Sequence, residues 1–377
     1  MKAFQCTCGQ PLFFHNDVCL GCGSAIAYDP SSRMLGPLAP LGDDTWSLGD
    51  DTWSLVVDDR NPKPAFRFCE HRVDAVGCNW LIPAETNRTA CVSCRMTRTI
   101  PSLANPLNAT RLEILETAKR RVLYGLQVCG LPLVPKDESA NGLAFDFLEE
   151  LPGGPGVMTG HVEGLVTINV AEADADYRER NRTSFHEPYR TVIGHLRHEI
   201  GHHYWDELVR DTPWLASFRE LFGDETSDYV QALQHYYDNG PPLDWADHFI
   251  SAYASAHPWE DWAETWAHYL HLRATLQTVD SFSLDTSRTP FRITPFTSDA
   301  LYDESAPSAE PFLGWINAWV KLTTVLNETA RSMGQPDVYP FVLSRMAVKK
   351  LHFVQCVVEA GGGRGIVPPP IERLAVA

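Results

Sequence analysis

No run of about 18 apolar residues occurs anywhere in this 377-residue chain, so nothing in it reads as a bilayer-spanning helix. Positive charge is also scarce. Lys and Arg number 31 against 48 Asp and Glu, a formal charge of -17, which argues against non-specific binding to nucleic acid or to anionic membranes. The deficit is uneven: residues 1–100 hold nine basic and eleven acidic side chains, and the remainder holds 22 and 37. The opening MKAFQCTCGQPLFF has no apolar core and no small-residue cleavage site, so no signal peptide is expected. Together these absences read as a soluble, cytoplasmic chain. Thiols in that compartment stay reduced. A disulfide framework is therefore not the expected use of the ten cysteines.

Eight of the ten lie before residue 95, and metal binding explains such crowding. Cys6-Thr-Cys8 and Cys19-Leu-Gly-Cys22 form C-x-C and C-x-x-C half-sites on turns, able to supply four tetrahedral zinc ligands. Cys69, Cys78, Cys91 and Cys94 form a second set. Cys91-Val-Ser-Cys94 is a compact half-site, whereas Cys69 and Cys78 are too far apart to share one turn, and His71 is a possible substitute for one of them. One or two structural zinc ions are expected. Cys129 and Cys356, alone in apolar surroundings, read as packed core thiols. Between the two sets lies a direct repeat, Leu41–Ser47 and Leu48–Ser54, each LGDDTWS, which reads as a loop or hairpin without chemistry.

Beyond a Pro-flanked linker near residue 100 the pattern changes. Leu112, Leu115, Ala118, Val122, Leu123 and Leu126 predict a helix ended by Gly130 and Pro132. Strands are expected at 143–148 and 164–170. Mostly helical sequence runs from beyond Pro188 to about 277, then a polar loop at 281–311, helices at 312–331 and 340–359, and mobility at Gly361–Gly363.

The chemistry concentrates in YRTVIGHLRHEIGHHYWDELVR. His198 and His202, four residues apart on a helix, project from one side and can bind one metal; Glu199 sits where it can reach the water. Gly194 and Gly201 in this helix suggest close packing against a neighbour. A third ligand is sought downstream, in HPWEDWAETWAHYLH. Glu260 and Glu264 share a face there with His268 and His271. One glutamate can bind zinc while the other orients a histidine, and Glu260 is the preferred ligand.

These stretches, with CNWLIPA around Cys78 and CVSCRMTRTIP at 91–101, resemble a bacterial family that joins a zinc ribbon to a zinc-binding metallopeptidase domain, over roughly residues 1–350. E-x-x-A-[acidic or Asn]-x-x-A is similar to the second zinc helix of glutamate-type zincins. The resemblance implies an α+β chain: a zinc-ribbon region at 1–100, a mainly helical zincin-like domain with a small β-sheet at 106–350, and an extension at 351–377. It implies Glu260 as ligand with Glu264 behind it, one catalytic zinc, and Glu199 as general base in peptide hydrolysis. Tyr253, His268 and His271 are candidates for holding the oxyanion, and GLVTINV for the edge strand that pairs with an extended substrate. Protein or peptide substrates are implied, with the ribbon serving partner or substrate recognition. The contrasting expectation is a non-catalytic zinc-binding interaction module.

Overall fold

The computed structural model describes residues 2–42, 45–48, 64–151, 153–154, 156–184, 187–285, 289 and 292–362. The N-terminal region is built from short strands. β1 (Phe4–Gln5) pairs with β2 (Pro11–Leu12) around the first cysteines. β3 (Ile26–Asp29), β4 (Met34–Gly42), β5 (Thr45–Leu48), β6 (Phe66–Phe68) and β7 (Leu81–Pro83) then form an antiparallel five-stranded sheet in chain order. The first LGDDTWS copy supplies the end of β4, with Leu41 and Gly42, and the start of β5, with Thr45, Trp46 and Ser47. Of the second copy, only Leu48 lies within the described residues.

A one-turn helix, α1 (Val92–Arg95), carries Cys94 into β8 (Thr97–Thr99). β8 does not return to the first sheet. It pairs in parallel with β9 (Ala144–Leu148), matching Thr97 to Phe145. β9 pairs in parallel with β11 (Leu165–Asn169), and β10 (Gly160–Val162) runs antiparallel along β11, giving the order β10-β11-β9-β8. GLVTINV is thus an inner strand, with the three residues Gly160–Val162 outside it. The expectation that it forms the sheet edge is corrected. β11 alternates well enough to be found by pattern, while its cover is too short to carry a period.

The helices are α2 (Pro106–Val128), α3 (Ala175–Ser184), α4 (Val192–Leu208), α5 (Trp214–Phe222), α6 (Tyr229–Asn239), α7 (Trp245–His248), α8 (Pro258–Ser281), α9 (Ala309–Ser332) and α10 (Arg345–Gly362). α10 runs without a break through residue 351, and Gly361 and Gly362 are its last residues. Both fall in the stretch expected to be mobile, and here they close a helix. A Cβ on Gly361 would lie 2.5 Å from Leu208 Cδ2, so the backbone there is packed against α4. Gly363 lies outside the described residues.

One buried apolar cluster runs through both parts, from Phe4, Phe14 and Tyr28 to Leu123, Trp262 and Phe353. Phe14 packs on Tyr124 of α2 at 5.0 Å between ring centroids, and the Tyr28 hydroxyl donates to Gln127 Oε1 at 2.9 Å. A polar knot fixes the same junction. Lys119 of α2 is fully buried, and its ammonium donates to Ser93 O at 2.9 Å, to Glu116 Oε1 at 2.8 Å and to the Thr97 hydroxyl. Removing one partner of a buried ion pair leaves the other short of counter-charge, here with Arg120 at 3.6 Å as the remaining cation beside Glu116. Lys119→Met should therefore cost about 3–5 kcal/mol of unfolding free energy in urea. Adding Glu116→Gln should return part of that loss. Equal stability of Lys119→Met and the parent would refute this account of the junction.

Candidate metal centre

α4 and α8 pack closely enough that glycine is required between them. A Cβ on Gly201 would sit 3.1 Å from both Ala263 Cα and Trp266 Cδ1, and Trp262 Nε1 donates to Gly201 O at 2.8 Å. Gly194, two turns earlier on the same side of α4, lies against Thr191, Tyr189 and His271. Each helix begins with a side-chain cap. Thr191 Oγ1 accepts from Gly194 N at 3.0 Å, and His257 Nδ1 accepts from Trp259 N at 3.1 Å just ahead of Pro258. The first turn of α8 thus presents Glu260 to the middle of α4.

There His198, His202 and Glu260 bring one ligand atom each within 4.8 Å of one another. His198 Nε2 is 2.9 Å from Glu260 Oε2, and His202 Nε2 is 3.7 Å from Glu260 Oε1. Ligands at about 2.0–2.2 Å from a tetrahedral zinc would be about 3.4 Å apart, so the spacing fits. Glu264 takes a different place. Its Oε1 meets His198 Nδ1 at 2.8 Å, and its Oε2 accepts from the Ser251 hydroxyl at 2.6 Å. A carboxylate on the far nitrogen fixes the tautomer that leaves Nε2 free to bind metal. His202 is held differently, by packing. The Trp259 ring lies 4.0 Å from it and the His161 ring of β10 lies 6.2 Å away.

Burial disfavours a charged His198, but Glu260 and Glu264 on its two nitrogens push it well above the ordinary imidazole range, so a metal there must displace a proton. Burial would raise both carboxyls, but His202 and His198 bring Glu260 down to about 2, and His198 brings Glu264 down to about 2. Burial lowers His202 to about 4, so its imidazole is neutral at neutral pH, the form that binds metal. Glu199 is half-buried beside the triad and makes no hydrogen bond or ion pair among the described residues. Burial lifts its carboxyl to about 7, His198 opposing and Glu260 and Glu264 adding to the rise.

The other expected residues divide. The Tyr253 ring stands 6.0 Å from that of His198. His268 and His271, also on α8, are engaged with other partners: His268 Nδ1 lies 2.6 Å from the Tyr339 hydroxyl, and Arg197 Nη1 donates to His271 Nδ1 at 2.5 Å. Three neighbours of the triad carried no recognisable signal. Tyr229, whose hydroxyl donates to Glu260 Oε1 at 2.6 Å, Ser251 and His161 each stand alone in their segments.

The cysteines gather as two groups of four, Cys6, Cys8, Cys19 and Cys22, and Cys69, Cys78, Cys91 and Cys94. Sulfur atoms pair at 3.6 Å for Cys6–Cys22 and Cys8–Cys19, and at 3.5 Å for Cys78–Cys91. Four thiolates at about 2.3 Å from zinc would be about 3.8 Å apart. In the first group the Ser24 hydroxyl holds the Cys22 thiol down at about 6. In the second, Cys91 N–H donates to Cys69 Sγ and Trp80 N–H to Cys78 Sγ, bonds that favour thiolate. His71 is turned to Asp74, 2.6 Å from its Nδ1, and is outside the group. Cys129 is buried in the core and Cys356 half-buried beside His352.

The family model described as "Putative zinc-binding metallo-peptidase" matches residues 108–357, and one for a zinc-ribbon domain matches residues 3–105. The chain belongs to this metallopeptidase family. Uncharacterized proteins of Mycobacterium tuberculosis and Mycobacterium bovis are 38% identical to it over 362 residues, covering 95% of this chain and 96% of theirs. No solved structure matches the chain. Zinc is accordingly the metal of both parts, with the cysteine groups compatible with structural ions and the His/Glu group with a catalytic one. No helix among the described residues is long and apolar enough to cross a membrane.

Proposed function

We propose that the chain is a zinc-dependent peptidase that hydrolyses peptide bonds with Glu199 as general base. The observation that carries this reading is the convergence of His198, His202 and Glu260 beside a carboxylate, Glu199, that is hydrogen-bonded to none of them among the described residues. Glu264 fits the part of supporting carboxylate behind His198. Zinc held by the three ligands would supply Lewis acidity, polarising the scissile carbonyl and acidifying water. Glu199 takes the proton of the attacking water and delivers it to the leaving amine. In this reading Tyr253, whose ring lies 6.0 Å from that of His198, takes the part of oxyanion donor. His268 and His271, held by Tyr339 and Arg197, are less suited to that task.

β10 is the strand best placed for an extended peptide. Its outer side has no strand partner among the described residues, and its His161 reaches the His202 ring. The zinc ribbon, in this reading, serves recognition of the substrate or of a partner protein.

A broad peptide library provides the test. The zinc-loaded chain should cut a subset of peptides, lose that activity on chelation and regain it with added zinc. If the loaded chain cuts nothing, the peptidase reading falls and a zinc-dependent interaction module replaces it.

A further inference from the structure

Each oxygen of Glu260 has a different neighbour. Oε1 accepts the Tyr229 hydroxyl at 2.6 Å and lies 3.7 Å from His202 Nε2. Oε2 is buried, has no hydrogen-bond partner among the described residues, and lies 2.9 Å from His198 Nε2. Tyr229 comes from outside both site helices, on α6, which buries no side chain completely. What seats it is aromatic: the Tyr229 ring lies 5.1 Å from that of His257 and 6.0 Å from that of Trp259, and Tyr236 of the same helix lies 5.7 Å from Tyr253.

We propose that Tyr229 is a positioning residue: it holds Oε1 of Glu260, the oxygen on the His202 side, and so fixes the orientation in which this carboxylate meets the metal, and thereby couples the seating of α6 to the metal centre. This rests on the reading of Glu260 as a zinc ligand. The physical case is one of orientation. A carboxylate can rotate between one-oxygen and two-oxygen binding, and a short charge-assisted bond to one oxygen removes that freedom. Taking the phenol away leaves a buried carboxylate oxygen without its donor, which is unfavourable in an environment this dry. Groups that hold ligands in this way typically affect metal affinity by about 10–100-fold. Ser251 and Glu264 do for His198 what Tyr229 does for Glu260, but from the adjacent segment and α8 itself. Tyr229 is the member of this set borne by a helix lightly attached to the body.

The test is competition for zinc with a graded set of chelators on the full chain, with zinc counted per chain. Tyr229→Phe should weaken the His/Glu-bound zinc about 10–100-fold while the cysteine-bound zinc is retained. An affinity within twofold of the parent overturns the proposal. His198→Ala is the control for the underlying reading. If it loses no zinc, the reading of the site itself fails, whatever Tyr229→Phe does. A purely structural role is separated by Glu260→His, which keeps three ligands but offers no carboxylate to the phenol. On that background Tyr229→Phe should change zinc affinity less than twofold. The same 10–100-fold loss there would mean that Tyr229 does not act through Glu260.

Discussion

Exchanging Glu199 for alanine should lower peptide hydrolysis by about two to four orders of magnitude and leave the zinc content of the chain unchanged. The size is what a positioned general acid–base ordinarily contributes. The retention of metal follows from the geometry. Glu199 is bonded to none of His198, His202, Glu260 or Glu264, and the pairs that hold those side chains do not pass through it. Glu199 also lies on the half-buried side of α4, so shortening it leaves no cavity in the α4–α8 contact, which is built on Gly201, Trp262 and Trp266. Parallel assays of turnover and of zinc by elemental analysis decide the matter. Loss of zinc together with activity would make Glu199 part of the binding set, and undiminished turnover would remove it from the mechanism.

The second large effect concerns stability. Cys91→Ser should unfold far more than the N-terminal region. Cys91 is buried within the second cysteine group, and its backbone N–H donates to Cys69 Sγ. A structural zinc contributes about 10–16 kcal/mol to the fold that binds it, against a net stability of about 5–15 kcal/mol for a whole domain. The loss cannot stay local, because Cys94 leads straight into β8, which pairs with β9, and Lys119 of α2 holds Ser93 and Thr97. Thermal melts of the variant should lack the parent's cooperative transition, and amide exchange in α2 should accelerate with that in the ribbon. A variant whose α4 and α8 melt as in the parent would show two independent units instead.

The metal-binding motifs were the most legible part of the sequence, for a geometrical reason. Residues four apart on a helix share a side, so His198 with His202, and Glu260 with Glu264, declared their relation locally. Cysteine pairs on turns do the same. Sequence could not say what comes between helices. His268 and His271 share the face of Glu260 and Glu264, but Tyr339 and Arg197, 71 and 74 positions away in the chain, claim their ring nitrogens. Tyr229 was invisible for the converse reason. Its segment, YVQALQHYYDN, shows an amphipathic helix and nothing that separates a tyrosine bound to a carboxylate from one that is merely packed. The sheet edge was misassigned because β10 has three residues, one of them a histidine drawn inward by Gly164 N–H and the neighbouring rings. His71 looked like a spare ligand beside Cys69, but a nearby aspartate competes for it.

The parallel pairing of β8 with β9 has a practical consequence. A helical body produced without the residues before 106 would lose β8 and leave one side of β9 with open N–H and C=O groups. The buried Phe145 and Phe147 lie on that same strand. An uncovered apolar edge of this kind is a template for chain-to-chain stacking. The two halves are therefore poor candidates for separation or shuffling. The cysteine-rich part closes, through β8, a sheet edge of the part that carries His198.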